Sequence, residues 1–278
     1  MDAKSIKNLV VVSDTHCGCR MGLCPPTRIP LDDGGEYYAS QLQRKVWKLW
    51  LHFCRVWVPK VTHGQPFAVL FNGDTLDGNH HDSTTQISHN LVDQSNIARL
   101  ALRPLLEKAA KVFFVRGTEA HVGKSGVEEE RIAKLCGAIP NRHGQYARHD
   151  AWIQLGKGLI HAVHPIGTSG SAAYESTAIM KELAEAYVEA GRNRIRPPDC
   201  IARSHRHRNL EIRVPTKLGY GIAFVTAGWQ LKTPFAYKIS GGRNTTPQIG
   251  GSVIIQGDED LYTRHWVKYM NRSETVTI

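Results

Sequence analysis

The sequence predicts an α/β fold, and three observations predict it. Short runs of β-branched and apolar residues alternate with longer amphipathic segments over residues 8–209. Beyond residue 209 the runs are strand-like and follow one another, which adds late antiparallel strands. Five of the earlier strands also end in acids or histidines, where side chains from neighbouring strands converge on one crevice.

Residues 1–7 are a polar lead-in to the first strand, Val10-Val11-Val12, which ends at Ser13-Asp14-Thr15-His16. Residues 17–35 are rich in Gly, Pro and Cys and read as an irregular loop. Residues 37–58 read as a helix with Leu42, Val46, Leu49 and Phe53 along one stripe; Arg44, Lys45, Lys48 and Arg55 form its solvated side. A turn at 62–66 leads into Ala68-Val69-Leu70-Phe71, which ends at Asn72-Gly73-Asp74. Residues 77–85 form a polar loop carrying His80 and His81. Residues 88–110 are mostly helical, with Pro104 expected to kink or divide them.

The third strand, Val112-Phe113-Phe114-Val115, ends at Arg116-Gly117-Thr118-Glu119-Ala120-His121. A helix over 127–136 carries Glu128, Glu129 and Glu130 in its first turn, where the helix dipole favours acids. Residues 146–155 read as one strand, and Gly156-Lys157-Gly158 as a hairpin turn into a strand over 158–163 that ends at His164-Pro165. Another helix spans 171–190, and a basic connection holding Arg192, Arg194 and Arg196 leads to the strand Cys200-Ile201-Ala202-Arg203. That strand ends at Ser204-His205-Arg206-His207. Residues 210–214, 221–227, 252–255 and 263–267 read as the late strands, and 240–251 as a Gly/Thr/Asn loop. With no repeat and no linker, residues 1–278 are expected to form one domain, its chemistry-bearing blocks in 8–209 and its late strands in 210–278.

Composition narrows the function classes. The chain has 278 residues, 41% hydrophobic and 22% charged, which is ordinary for a globular protein with a sizeable core. No apolar run approaches the ~20 residues needed to span a bilayer, and the N-terminus has no signal-peptide pattern. A cytoplasmic protein with no membrane partner is expected. Cys17, Cys19, Cys24, Cys54, Cys136 and Cys200 are then expected to be reduced thiols, the first three in a partly buried loop rather than a zinc site. The net charge of +10 suits a polyanionic partner.

The five blocks together resemble those of the calcineurin-like metallophosphoesterases: Asp-x-His, Gly-Asp, Gly-Asn-His-Glu/Asp, a lone His, then Gly-His-x-His. The resemblance spans residues 8–209 and is nearest in character to the DNA-repair exonuclease and phosphodiesterase branch. It implies two stacked mixed β-sheets flanked by helices. It also implies two divalent metal ions, manganese foremost with iron, zinc, nickel or magnesium as alternatives, sharing an aspartate and a bridging water or hydroxide that attacks the phosphoester. Asp14, His16, Asp74 and His207 would bind the first metal, with Asp74 bridging, and His164 and His205 the second. His164 is chosen over His161, which strand alternation places on the opposite face.

Two blocks depart from the family pattern. Ser204 stands for a glycine, and Thr118-Glu119 stand where the family has a metal-binding Asn and an adjacent catalytic His. Glu119 is taken as the second metal's remaining ligand because a carboxylate binds more strongly than the Thr118 hydroxyl. His121 is taken as the catalytic acid that serves the leaving group, with His80 or His81 as alternatives.

Arg203, Arg206 and Arg208 surround the last two histidines, and Arg116, Arg203 and Arg208 are expected to bind substrate phosphate. Trp229, Phe235 and Tyr237 are candidates for base stacking, core packing being the expected role of at least two. The expected activity is hydrolysis of nucleic-acid phosphodiester bonds, with nucleic acid as the partner. The alternative is a phosphomonoesterase of the protein-phosphatase type, and after that a non-catalytic scaffold.

Overall fold

A computed structural model describes residues 5–80, 82–167, 172–217, 219–239, 246–270 and 277. His81 and residues 240–245 of the predicted late loop lie outside the described residues.

The first strand, β1 (Asn8–Val12), is buried along its whole length. A two-stranded ribbon, β2 (Ile29–Pro30) and β3 (Glu36–Tyr37), interrupts the loop read as irregular. Helix α1 (Gln41–His52) starts later than predicted because Ser40 caps it: its hydroxyl accepts from Gln43 N at 3.2 Å, and Gln43 Oε1 accepts from Ser40 N at 3.0 Å. A π turn (Phe53–Trp57) and α2 (Val58–Val61) carry the chain on to β4 (Phe67–Asn72).

Helix α3 (Leu91–Leu106), capped by Asn90, runs through Pro104. That proline lies in the last turn, where little helix remains to be broken. Then come β5 (Lys111–Val115), the short α4 (Glu119–Val122) and α5 (Val127–Leu135).

The segment predicted as one strand over 146–155 is two. Strand β6 (Ala147–Arg148) pairs with β5, and β7 (Ala151–Leu155) pairs with β8 (Gly158–Ala162) in a different sheet. Helix α6 (Glu175–Asn193) runs past Gly191 and ends at Arg194, whose φ of 55° is left-handed. Strands β9 (Cys200–Arg203), β10 (Leu210–Thr216) and β11 (Gly219–Val225) follow, then α7 (Pro234–Ile239), which the sequence reading missed, and finally β12 (Gln248–Gln256) and β13 (Leu261–Tyr269).

Two mixed sheets result, as the resemblance implied. One runs β13-β12-β1-β4-β5-β6, the other β10-β11-β9-β8-β7. Alternation along β1 explains how they pack. Leu9 and Val11 join Leu70, Ile160, Ala202 and Phe224 between the sheets, whereas Val10 and Val12 face outward to meet Val46, Trp50, Ile97 and Leu102 of α1 and α3. Helix α6 covers the other sheet through Ile179 and Leu183 against Ile201 and Ala223. Each buried Leu, Ile or Val contributes about 1.5–3 kcal/mol, so four layers fix the strand ends on which the polar blocks sit. Among the described residues no helix is long and apolar enough to cross a membrane.

Candidate metal centre

Strands β1, β4 and β5 are mutually parallel, and so are β8 and β9 in the other sheet. Their carboxyl ends therefore open on one side, and backbone hydrogen bonds knit the loops there. Asp14 N donates to Gly73 O at 3.1 Å, His16 N to Asp74 O at 3.1 Å, and Ser204 N to His164 O at 3.0 Å. Asp14, His16, Asp74, His205 and His207 all have φ between 41° and 73°. This left-handed region costs most side chains on the order of 1 kcal/mol but is entered more readily by Asp and His. Strain of this kind collects at functional sites.

Among the described residues the side chains form three overlapping clusters whose donor atoms lie within 4.8 Å of one another: Asp14 with His16 and His207, Asp14 with Asp74, His164 and His205, and Asp74 with His16 and His121. Asp14 is common to the first two, and Asp74, to which the resemblance gave the shared position, is common to the last two. His207 Nε2 lies 3.2 Å from Asp14 Oδ1, and His164 Nε2 lies 2.9 Å from Asp74 Oδ2. His205 Nδ1 is 3.8 Å from Asp74 Oδ2, and His16 Nε2 is 3.2 Å from His207 Nε2. These approaches are close but misaligned: Asp14 Oδ1 and His164 Nε2 are buried and have no hydrogen-bond partner. Imidazole nitrogens and carboxylate oxygens crowded in this way fit a transition-metal cation by donor chemistry and by their open valences.

The neighbours of these donors orient them. The Asn72 carbonyl accepts from His164 Nδ1 at 2.6 Å and from the Ser13 hydroxyl at 2.7 Å, leaving His164 Nε2 to face the carboxylates. Asp77 Oδ1 stands 3.4 Å behind His16 Nδ1. Burial alone would raise the carboxyls of Asp14 and Asp74, but the neighbouring histidines, His207 for Asp14 and His164 for Asp74, outweigh it and hold both well below the usual carboxylate range. Burial would lower His164, yet Asp74 and Asp14 raise it to about 10.

The third block resolves differently from the sequence expectation. Thr118, not Glu119, meets Asp74: its amide donates to Oδ1 at 2.8 Å, and its hydroxyl lies 3.2 and 3.3 Å from the two carboxylate oxygens. Glu119 begins α4, is exposed and joins none of the clusters. Gly117 permits this approach, since a Cβ there would sit 2.0 Å from Asp74 Oδ1. His121 lies 3.9 Å from Asp74 Oδ2 through Nε2, with Nδ1 donating to Asp77 O at 2.5 Å. Burial pushes His121 down to about 4 against the pull of Asp74.

The arginines are engaged elsewhere. Arg203 is buried and paired with Glu182 of α6 at 2.8 Å, and Arg208 is paired with Glu175 at 2.7 Å. Arg116 donates to Ala147 O at 3.1 Å. His161 stacks on Trp152 at 4.3 Å, away from the clusters. Trp229 is fully buried against Trp50, a core role, while Phe235 and Tyr237 are partly exposed on α7. The six cysteines are free and buried, and burial pushes Cys19 up to about 11 and Cys24 to about 12.

Sequence reasoning missed Asp77, Asn72 and Ser13 as supports. The spacing Gly73-Asp74-x-x-Asp77 was the available signal for the first of these.

No protein-family model matches the chain, and no curated protein matches it. Solved structures resemble it in outline. A single mutant of Vps29 from Entamoeba histolytica shares 11% identity over 94% of this chain and 99% of that one, with a TM-score of 0.42. Vacuolar Protein Sorting 29 from Cryptosporidium parvum shares 9% over 95% and 98%, with a TM-score of 0.41. A 5'-nucleotidase from Candida albicans shares 9% over 94% of this chain but 51% of its own, with a TM-score of 0.38. Likeness this distant leaves the role of each site residue to its own geometry and chemistry.

Proposed function

We propose that the chain is a metal-dependent phosphoesterase acting on phosphodiester bonds, with nucleic acid as its substrate class. One observation carries this reading: six residues from four separate strand ends, Asp14, His16, Asp74, His164, His205 and His207, meet in two overlapping donor clusters. Asp14, His16 and His207 would hold one divalent cation, and Asp74, His164 and His205 the other, with the Asp14 and Asp74 carboxylates lying between them. The Thr118 hydroxyl takes the place given by resemblance to an Asn. When bound, two such cations supply Lewis acidity for the phosphoryl oxygens and lower the pKa of water.

The chain's own residues do the rest. Asn72 and Asp77 fix the ring orientations of His164 and His16. His121 is tethered through Nδ1 to the Asp77 carbonyl, so its Nε2 is the group that can hydrogen-bond a phosphoryl or leaving oxygen. Its pKa near 4 leaves it neutral at pH 7, and the negative charge of an arriving phosphate would raise it toward the range where it carries a proton.

The net charge of +10 supports a polyanionic substrate. A second reading, phosphomonoester hydrolysis, is favoured by one observation: Arg203 and Arg208, two of the cations expected to grip a nucleic-acid backbone, are ion-paired within the chain. Manganese-dependent hydrolysis of labelled single-stranded DNA, bis-p-nitrophenyl phosphate and p-nitrophenyl phosphate separates the two. Cleavage of the DNA and the diester with little monoester turnover is expected, and monoester turnover alone would replace the diester reading. Asp74→Asn should lower turnover about a thousandfold, as loss of several kcal/mol of transition-state stabilisation requires. Activity retained in that variant would defeat the metal-centre reading.

A further inference from the structure

A further cluster adjoins those of the metal centre through His121. Asp77, His80 and His121 each offer one donor atom, and the three atoms lie within 4.8 Å of one another. Asp77 is the hub: its Oδ1 is 3.4 Å from His16 Nδ1, and its Oδ2 is 3.7 Å from His80 Nε2. Gln86 donates to Asp77 Oδ2 at 3.0 Å and Gln230 to Oδ1 at 3.3 Å, so the carboxylate is held in place from both sides. The rings of His80 and His121 meet edge to face, 4.4 Å apart at 69°. The group draws on two segments, the loop after β4 and helix α4. Gly78, with φ of 69°, lets them touch, since a Cβ there would lie 2.5 Å from His121 O.

We propose that Asp77, His80 and His121 form a third cation site, filled by a transition-metal ion present in excess of the pair, and that filling it stops turnover by removing the His121 imidazole from the substrate. Two imidazoles and one carboxylate select zinc, cobalt, nickel or copper over magnesium or calcium. The site is weaker than the main clusters because its one carboxylate is already engaged by Gln86, Gln230 and His16. The inhibitory half of the inference rests on the role given to His121 above; the binding half does not.

The test uses zinc on the full chain. Equilibrium dialysis with metal analysis should give three ions per chain at saturating zinc for the wild type and two for His80→Asn. Cobalt titration followed by visible absorption reads the same count independently, and circular dichroism verifies that the variant folds. Excess zinc should lower diester turnover by about a hundredfold in the wild type, the share a general acid supplies, and leave His80→Asn unaffected. An equal count in the two proteins would overturn the site. Inhibition persisting in His80→Asn would overturn the mechanism. If no phosphoester is cleaved at any zinc concentration, the proposed activity fails while the metal count still decides the site.

Discussion

Two assemblies of histidine, carboxylate and hydroxyl among the described residues are built on opposite principles. At the strand ends, Asp14, His16, Asp74, His205 and His207 take left-handed backbone conformations, and Asp14 Oδ1 and His164 Nε2 are left without hydrogen-bond partners. Between β10, β12 and β13 lies a closed chain instead. Glu211 Oε2 sits 2.7 Å from His265 Nε2, His265 Nδ1 is 2.8 Å from Ser252 Oγ, and Ser252 Oγ is 3.1 Å from Thr226 Oγ1. Thr263 and Arg213 complete the coordination of Glu211. Ser252 is fully buried, so this Ser–His–Glu series meets no substrate despite its order. It joins the edge of one sheet to the edge of the other. The same residue types make a fastening where every valence is met, and a receptor where some are left open.

The largest effect that would sharpen the contrast is on activity. His121→Ala should reduce diester turnover about a hundredfold or more while leaving the melting temperature nearly unchanged. A variant as active as the wild type would remove His121 from the chemistry. A smaller, complementary effect is expected from His265→Ala, which leaves Glu211 and Ser252 short of a partner. It should cost about 1–3 kcal/mol of stability in urea with metal stoichiometry intact. Loss of bound metal in that variant would erase the distinction between the two assemblies.

The smallest effect is a pH slope. His265, Thr263 and Arg213 outweigh burial and hold Glu211 down to about 2, below its usual 4.5. Its contribution to stability is therefore present above pH 4.5 and declines as pH falls toward 2. Urea midpoints measured across that window should fall less steeply for Glu211→Gln than for the wild type, and parallel curves would show that Glu211 is not held as described.

Much of this was legible in the sequence, for physical reasons. An apolar run that ends in Asp or His announces both a strand and what it delivers, so all five blocks were found with their strands. What stayed hidden depends on contacts distant in sequence. Arg203 and Arg208 read as phosphate grips because nothing local reveals Glu182 and Glu175, which α6 brings back to them. Thr118 and Glu119 are adjacent, and only the turn into α4 decides that the first faces Asp74 and the second faces solvent. The segment over 146–155 alternates as one strand, yet it changes sheets between Arg148 and Ala151.

The left-handed conformations at Asp14, His16, Asp74, His205 and His207 also bear on how this chain can drift. Glycine at any of the five would relieve local strain while removing a donor, so stability and chemistry pull in opposite directions at the same positions. A descendant released from its reaction would find its easiest stabilising substitutions there. Glycine appearing at those positions in a relative of the same architecture would therefore mark a lineage that kept the shape and gave up the reaction.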